Sequence, residues 1–334
     1  MSVTAKDIAK ALNITPAAVS MALNNKPGVS DETRSKVFEM ANQMGFKYSK
    51  KMLRHNHKMI AFIFFHKNFI FETPFFSELG QAVEQTLKSF GYHMNAYHIH
   101  ESDNIAEQLK LILNDDPEGL ILLGTLISAN EIRYFKNCPK PLILLDASFY
   151  DFDGSTVVIN NVDGARQATE YLIERCKCCP GYIRYGNPFM NLIERSDGFY
   201  NALRSHGYHP SKVIIHNVIP SIEGAYQDML DIIDSGEPLA SAYFCDNDEL
   251  ALGAMRAFLE KGFKIPEDIS IIGFDNMYYS QLMDPPLTSI SVPKRFMGQV
   301  AAKLLIDEIN NKDFVHYPTK VEINTKLVIR KSVK

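Results

Sequence analysis

The stretch from Val3 to Phe46, VTAKDIAKALNITPAAVSMALNNKPGVSDETRSKVFEMANQMGF, leaves the chain few ways to fold. Thr4, with Asp7 three residues on, forms a shortened capping box, and Ile8, Ala9 and Leu12 give the segment behind it one apolar stripe. Asn13 suits the left-handed position that ends a helix. Thr15 caps a second helix, with Pro16 in its first turn, where a missing N–H costs nothing. Val19 and Leu23 are four apart and face the core, which puts Thr15, Pro16, Ala17, Ser20 and Met21 on the outer face. A third helix opens at Ser30, has Asp31 and Glu32 in its first turn, buries Val37, Met40, Ala41 and Met44, and ends at Gly45. Two short helices about a tight turn, backed by a third, form the layout that lays a second helix in the major groove of DNA.

Charge supports that placement. The 334 residues carry a net charge of −4, which is wrong for a DNA binder until the chain is divided. Residues 1–58 hold eight Lys and two Arg against two Asp and two Glu, a net of +6, and the remainder carries −10. A basic head that meets phosphate and an acidic body that stays off it follow from such asymmetry. Hydrophobic content of 46% and charged content of 22% suit a globular chain with two or three domains. No apolar run approaches the roughly 20 residues of a membrane helix. Lys6, Asp7 and Lys10 interrupt any leader-like segment, so a cytoplasmic location is expected. The five cysteines, an odd number, argue for reduced thiols.

From Met59 the pattern changes to short apolar runs alternating with amphipathic stretches. MIAFIFF (59–65), GLILLG (119–124), PLILLD (141–146), Tyr182–Tyr185, SAYFC (241–245) and ISIIGF (269–274) read as buried strands. Phe76–Phe90, Asp163–Arg175, Glu194–Ser205 and Glu249–Glu260 read as helices between them. Alternation of this kind predicts an α/β body with parallel sheets covered by helices on both faces. By itself it does not separate a receptor from an enzyme.

The string ITPAAVSMALNNKPGVSDETRSKV resembles the head of the lactose-repressor (LacI/GalR) family of bacterial transcriptional regulators. TPFFSELGQAVEQTLKSFGY, INNVDGARQATEYLIE, ERSDGFYNAL, YFCDNDELALGAMRAFLEKGFKIPEDISIIGFDN, PPLTSISVPKRFMG and NTKLVIRKSV resemble successive blocks of its effector domain. The likeness implies a helix-turn-helix domain over residues 1–46, a hinge over 47–58 and an effector-binding and dimerisation domain over 59–334. That last domain would be a periplasmic-binding-protein-like pair of lobes, the N-lobe about 59–160 and 291–318, the C-lobe about 161–290 and 319–334. It implies a ligand-controlled repressor, a homodimer on double-stranded operator DNA, with a sugar-like effector between the lobes and neither cofactor nor metal.

By the same resemblance Pro16, Ala17 and Met21 fall on base edges. Thr15, Ser20, Asn24 and Ser30 hold phosphates with Arg34 nearby, and Thr4 belongs to the same face. The family commonly has Arg at the place of Met21. Arg reads guanine with two hydrogen bonds, whereas Met makes only apolar contact, for example with a thymine methyl. In the hinge KYSKKMLRHNHK, alignment puts His55 where a minor-groove leucine wedge is expected. Leu53 is the substitute, with Met52 or a plain basic tether as the alternatives. Phe75 and Phe76 follow the first strand, where open α/β sheets place ligands, and either ring suits a sugar or base face unless it packs in the core. Asp275 at another strand end and Arg195 in ERSDGF are a matched acceptor and donor for the cleft, the alternative being a structural ion pair. Asn247 and Asp146 complete the candidates, while Phe189 and Phe149 put apolar groups at cleft positions.

Cys176, Cys178 and Cys179 lack a second thiol or histidine group at zinc spacing, so reduced, partly buried cysteines are expected. His98 and His100 share one face of a strand without an evident third ligand, and His55 and His57 read as solvated. Two other functions stay open. One is a receptor feeding a transporter. The other is an enzyme on a sugar-like substrate, for which Asp275 with Asp146 is the only catalytic pair on offer.

Overall fold

The computed structural model describes residues 3–24, 26, 28–46, 58–67, 74–311 and 317–334. The hinge reading, with Leu53, Met52, His55 and His57, lies outside them. The head has three helices, α1 (Ala5–Leu12), α2 (Pro16–Leu23) and α3 (Asp31–Gln43). Each boundary has a local cause. The Asp7 carboxylate accepts from the Thr4 N–H at 2.8 Å and from its hydroxyl at 2.7 Å. Asn13 ends α1 at φ 53, Thr15 Oγ1 accepts from the Ala18 N–H at 3.1 Å, and Ser30 Oγ accepts from the Thr33 N–H at 3.2 Å. Ile8, Ala9, Val19, Ala22, Leu23, Val37 and Ala41 form the core of the head.

The body holds two six-stranded sheets. The first sheet contains β1 (Met59–His66), β2 (His93–His100), β3 (Gly119–Leu123), β4 (Leu142–Leu145) and β5 (Ser155–Ile159). A later strand, β11 (Lys320–Ile323), joins it to give the order β11-β5-β4-β3-β1-β2, parallel throughout. The second sheet contains β6 (Gly181–Tyr185), β7 (Ile215–Val218), β8 (Ala242–Cys245), β9 (Ser270–Asp275), β10 (Thr288–Ser291) and β12 (Lys326–Val328). Its order is β12-β10-β9-β8-β6-β7, with only the edge strand β12 antiparallel. One apolar cluster runs through both lobes, and a separate cluster covers the remaining face of each sheet. Burial on both faces is why these strands read as continuous apolar runs rather than alternating ones.

The chain crosses between lobes three times. The first crossing is at Asn160, between β5 and α7 (Asn161–Cys176), and the second lies between β10 and α11 (Lys294–Asn310). The third differs from the expectation of a boundary near residue 318. Lys320–Ile323 pairs with β5 in the first sheet, so the crossing follows Ile323. Only four residues form that strand, one of them buried, too weak an alternation to place from sequence. At the outer crossings the Asn160 amide donates to Asn324 Oδ1 at 3.2 Å.

Three helix pairs pack with their backbones in contact. They are α7 with α8 (Met190–Ser205), α9 (Ile222–Asp234) with α10 (Asp248–Glu260), and α4 (Pro74–Ser89) with α11. A glycine sits at each contact. A methyl group on Gly198 would overlap the Val162 carbonyl oxygen, one on Gly253 that of Ile222, and one on Gly298 that of Leu79. None of these obstacles is a flexible side-chain end, so the helices themselves would have to part. Gly198→Ala is therefore expected to destabilise the body by about 1–3 kcal/mol despite the better helix propensity of alanine. Urea unfolding checks this, and an unchanged or raised midpoint would show that the helices yield freely.

Candidate DNA-reading face and ligand cleft

On the head, Thr15, Pro16, Ala17 and Ser20 are exposed at the N-terminal end and outer face of α2, where base edges and phosphates are met in this motif. Met21 is half-buried, its sulfur lying over Gly28. Thr4, Thr15 and Ser30 are the residues that cap the three helices. The Asn24 amide folds back onto the Ser20 carbonyl at 2.7 Å. Arg34 does something sequence reading missed. Its guanidinium donates to the carbonyls of Ala22 at 3.3 Å and Lys26 at 3.1 Å, bracing the end of the exposed helix.

In the body, the facing strand ends of the two sheets bound a cleft enclosing about 710 Å³, part of it open to solvent. Phe75, Phe76, Asp146, Arg195, Asn247 and Asp275 all line it, as does Phe189, whereas Phe149 packs on the N-lobe core instead. Phe75 is buried and Phe76 half-buried at the start of α4, with their rings edge to face at 5.7 Å. Asp146 and Asp275 sit at the carboxyl ends of β4 and β9 with φ of 64 and 95. Non-glycine residues hold such angles at a cost of order 1–3 kcal/mol, and they concentrate where side chains must be aimed.

Arg195 organises the C-lobe wall. Its Nε donates to Asn161 Oδ1 at 3.0 Å, Nη1 to the Asp246 carbonyl at 2.6 Å and Nη2 to Asp275 Oδ1 at 2.9 Å. The guanidinium also lies 3.8 Å from the Phe274 ring centre. Arg195 and Asp275 thus form a structural ion pair and line the cleft at once. Hydrogen bonds among the described residues tie the lobes together. The Asn191 amide on α8 donates to the Asp146 carbonyl at 3.2 Å, and Lys294 Nζ, opening α11, donates to the Asp275 carbonyl at 2.8 Å.

Asp146 is 1% exposed. Oδ2 accepts from the Thr125 hydroxyl at 2.6 Å, while Oδ1 is buried without a hydrogen-bond partner. Burial pushes its pKa up to about 7, against the pull of the Thr125 bond and of Arg195. The Tyr279 hydroxyl is a second buried polar atom without a partner on this wall. Asp246 and Asp248 are equally buried but better served. Asp246 accepts from the Tyr182 hydroxyl and the Tyr185 N–H. Asp248 accepts from the Met277 N–H and the hydroxyls of Ser280 and Ser289, clasping the loop after β9 onto α10. Asn247 caps α10 by accepting from the Leu250 N–H at 3.0 Å.

Sequence reading missed Thr125, Tyr185, Asn191, Asp246, Glu249 and Tyr279 on the cleft wall. Asn191 was lost because α8 begins at Met190, four residues before the expected Glu194. Phe189, its extended N-cap, makes no side-chain cap bond and so left no signal. Glu249 carried one, in the CDNDEL run that follows a strand into a helix, but a carboxylate in a helix's first turn has an ordinary reading as a partner of the dipole. Among the described residues no group of three or more His, Cys, Asp or Glu is placed to hold a metal ion, and no helix is long and apolar enough to cross a membrane.

Residues 4–49 match the family described as bacterial regulatory proteins, lacI family, and residues 180–333 match the periplasmic binding protein-like domain. The HTH-type transcriptional repressor CytR of Escherichia coli (strain K12) is 30% identical over 314 residues, spanning 92% of this chain and 90% of that protein. The chain belongs to the lacI family. Another of its relatives there, the HTH-type transcriptional repressor PurR of Actinobacillus pleuropneumoniae serotype 3 (strain JL03), is 27% identical over 336 residues, covering 99% of this chain and 98% of that one. Among solved structures, a lac repressor dimer bound to operator and the anti-inducer ONPF superposes with a TM-score of 0.79 at 22% identity, covering 99% of both chains. That likeness extends the lacI-family fold over head and body together. As a lacI-family member with repressor relatives, the chain is a DNA-binding regulator and not an enzyme.

Proposed function

We propose that this protein is a cytoplasmic transcriptional repressor, a homodimer whose affinity for operator DNA is set by a sugar-like metabolite held between its lobes. The observation that carries the reading is the cleft. A buried carboxylate oxygen without a partner stands where two lobes meet, on a chain whose head exposes one face of a capped helix. Leaving such an oxygen dry and unpaired is costly, and a ligand hydroxyl or amine relieves the cost. The likeness to a repressor dimer on its operator supports two heads placed about one DNA turn apart. Thr4, Thr15, Ser20, Asn24, Ser30 and Leu53 are assigned to the DNA side with Pro16, Ala17 and Met21, while Arg34 acts on it through the turn it braces. Ligand alters DNA affinity only to the extent that it binds the DNA-competent and incompetent lobe arrangements differently.

Selection from a random duplex pool tests this. The full-length protein is expected to enrich a pseudopalindrome, with or without a small-molecule cell extract. Enrichment in neither condition overturns the reading. Met21→Arg is expected to move the preference at one base pair of each half-site toward guanine, by about 1–3 kcal/mol in discrimination. An unchanged preference removes Met21 from the base-reading set.

A further inference from the structure

We propose that the ligand of this cleft is an amino sugar, and that its ammonium group is seated on Glu249 and Asp275. The inference rests on the cleft being the ligand site and goes further, to the charge of what enters it. Among the described residues the charged lining consists of Asp146, Asp246, Glu249 and Asp275 against Arg195 alone. Arg195 is committed to Asn161, Asp246 and Asp275, and Asp246 to Tyr182 and Tyr185. Glu249 makes no hydrogen bond or ion pair with any described residue, and Asp275 has one oxygen bonded and one left over. Across the cleft stands the unpartnered Oδ1 of Asp146, an independent sign that the site awaits a polar partner.

The spare capacity of the site is therefore mostly acceptor, and negative. A phosphorylated or carboxylated sugar would add like charge to it. A neutral sugar would supply hydroxyl donors but no positive charge to set beside Glu249 and the second oxygen of Asp275. An ammonium group offers three donors, no acceptor and a positive charge. Glu249 lies in the first turn of α10, two residues past the N-cap Asn247, where the helix dipole favours a carboxylate. Burial, followed by the charge of Asp275, nevertheless pushes its pKa up to about 7, so near neutral pH Glu249 is divided between its protonated and charged forms in the empty site, and a cation beside it favours the charged form. The sugar ring would then lie toward Phe75, Phe76 and Phe189, and Asp146 would take a hydroxyl.

Calorimetric titration of the full-length protein at neutral pH tests the proposal with three matched pairs. These are D-glucosamine with D-glucose, D-galactosamine with D-galactose, and D-mannosamine with D-mannose. The amine of at least one pair is expected to bind at least about tenfold more tightly than its hydroxyl counterpart, and Glu249→Gln to erase that margin. Unchanged circular dichroism and a single cooperative unfolding transition without ligand show that the variant is folded. A hydroxyl sugar binding as tightly as its amine, or an amine preference that survives Glu249→Gln, overturns the proposal and leaves the cleft reading intact. If none of the six binds, the amino-sugar proposal falls. A cell-extract shift in melting temperature that Phe76→Ala abolishes would then preserve the cleft as the ligand site, and a shift that survives Phe76→Ala, or no shift, would overturn that reading as well.

Discussion

Arg195→Ala is expected to destabilise the body by about 3–5 kcal/mol, the usual cost of removing one partner of a buried ion pair. Arg195 is 4% exposed, and three elements depend on it. Its loss strips Asp275 of a 2.9 Å ion pair, the Asp246 carbonyl of a 2.6 Å donor and Asn161 of a 3.0 Å donor. It also opens a cavity over Phe274. The second effect is on ligand. With Asp275 no longer held, a cleft ligand should give no calorimetric heat and no shift in melting temperature. Arg195→Lys should fall between, because a lysine restores charge but lacks the planar fork that serves three acceptors at once. Urea unfolding of the three proteins measures the first effect. A loss for alanine under about 1 kcal/mol would remove Arg195 from the centre of the network.

The second large effect is on pH dependence. Asp146 is fully buried, with one bonded and one unbonded oxygen. Its folded pKa of about 7 exceeds the ordinary 3.8, so between these values the folded protein keeps a proton that the unfolded chain has released. Stability is then fully present below about pH 4 and is lost as pH rises through 7. The shift corresponds to about 4 kcal/mol over that window. Burial raises Asp248 to about 7 and Asp246 to about 6 as well, so it is the difference between Asp146→Asn and the wild type, not the wild-type curve alone, that isolates Asp146. Asp146→Asn keeps an acceptor for Thr125 and tolerates the left-handed backbone, but cannot ionise. Without ligand its melting temperature should exceed that of the wild type at pH 8 and approach it as the pH falls toward 4. Parallel curves across that range would place the charge elsewhere.

Much of this was legible in the sequence because local chemistry set it. Thr4, Asn13, Thr15 and Ser30 mark helix ends in the head through bonds spanning a few residues, and they do so whatever the body does. Apolar runs such as GLILLG gave the buried strands for a similar reason, since burial on both faces leaves no room for a polar alternation. Phe75, Phe76, Asp146 and Asp275 were legible as strand-end or post-strand residues. Positions fixed by long-range geometry were not. Asn191 reaches the cleft by bonding Asp146, 45 residues away, and Arg34 turns inward to carbonyls twelve and eight residues back. The strand Lys320–Ile323 owes its lobe to pairing with Ser155–Ile159, information that its own four residues do not hold.

Gly198, Gly253 and Gly298 finally bear on mechanics. Where two helices touch backbone to backbone, no compliant layer of side chains lies between them, so each lobe behaves as a stiff plate. Compliance is left to the three strips of chain near 160, 292 and 324. A plate of six strands at about 4.8 Å spacing is roughly 25 Å wide, and a tilt of about 5° at such strips sweeps its far edge through roughly 2 Å. Lobes built this way would act as levers with their fulcrum beside the cleft, so that closing the cleft by a fraction of an ångström would move the rim several times further.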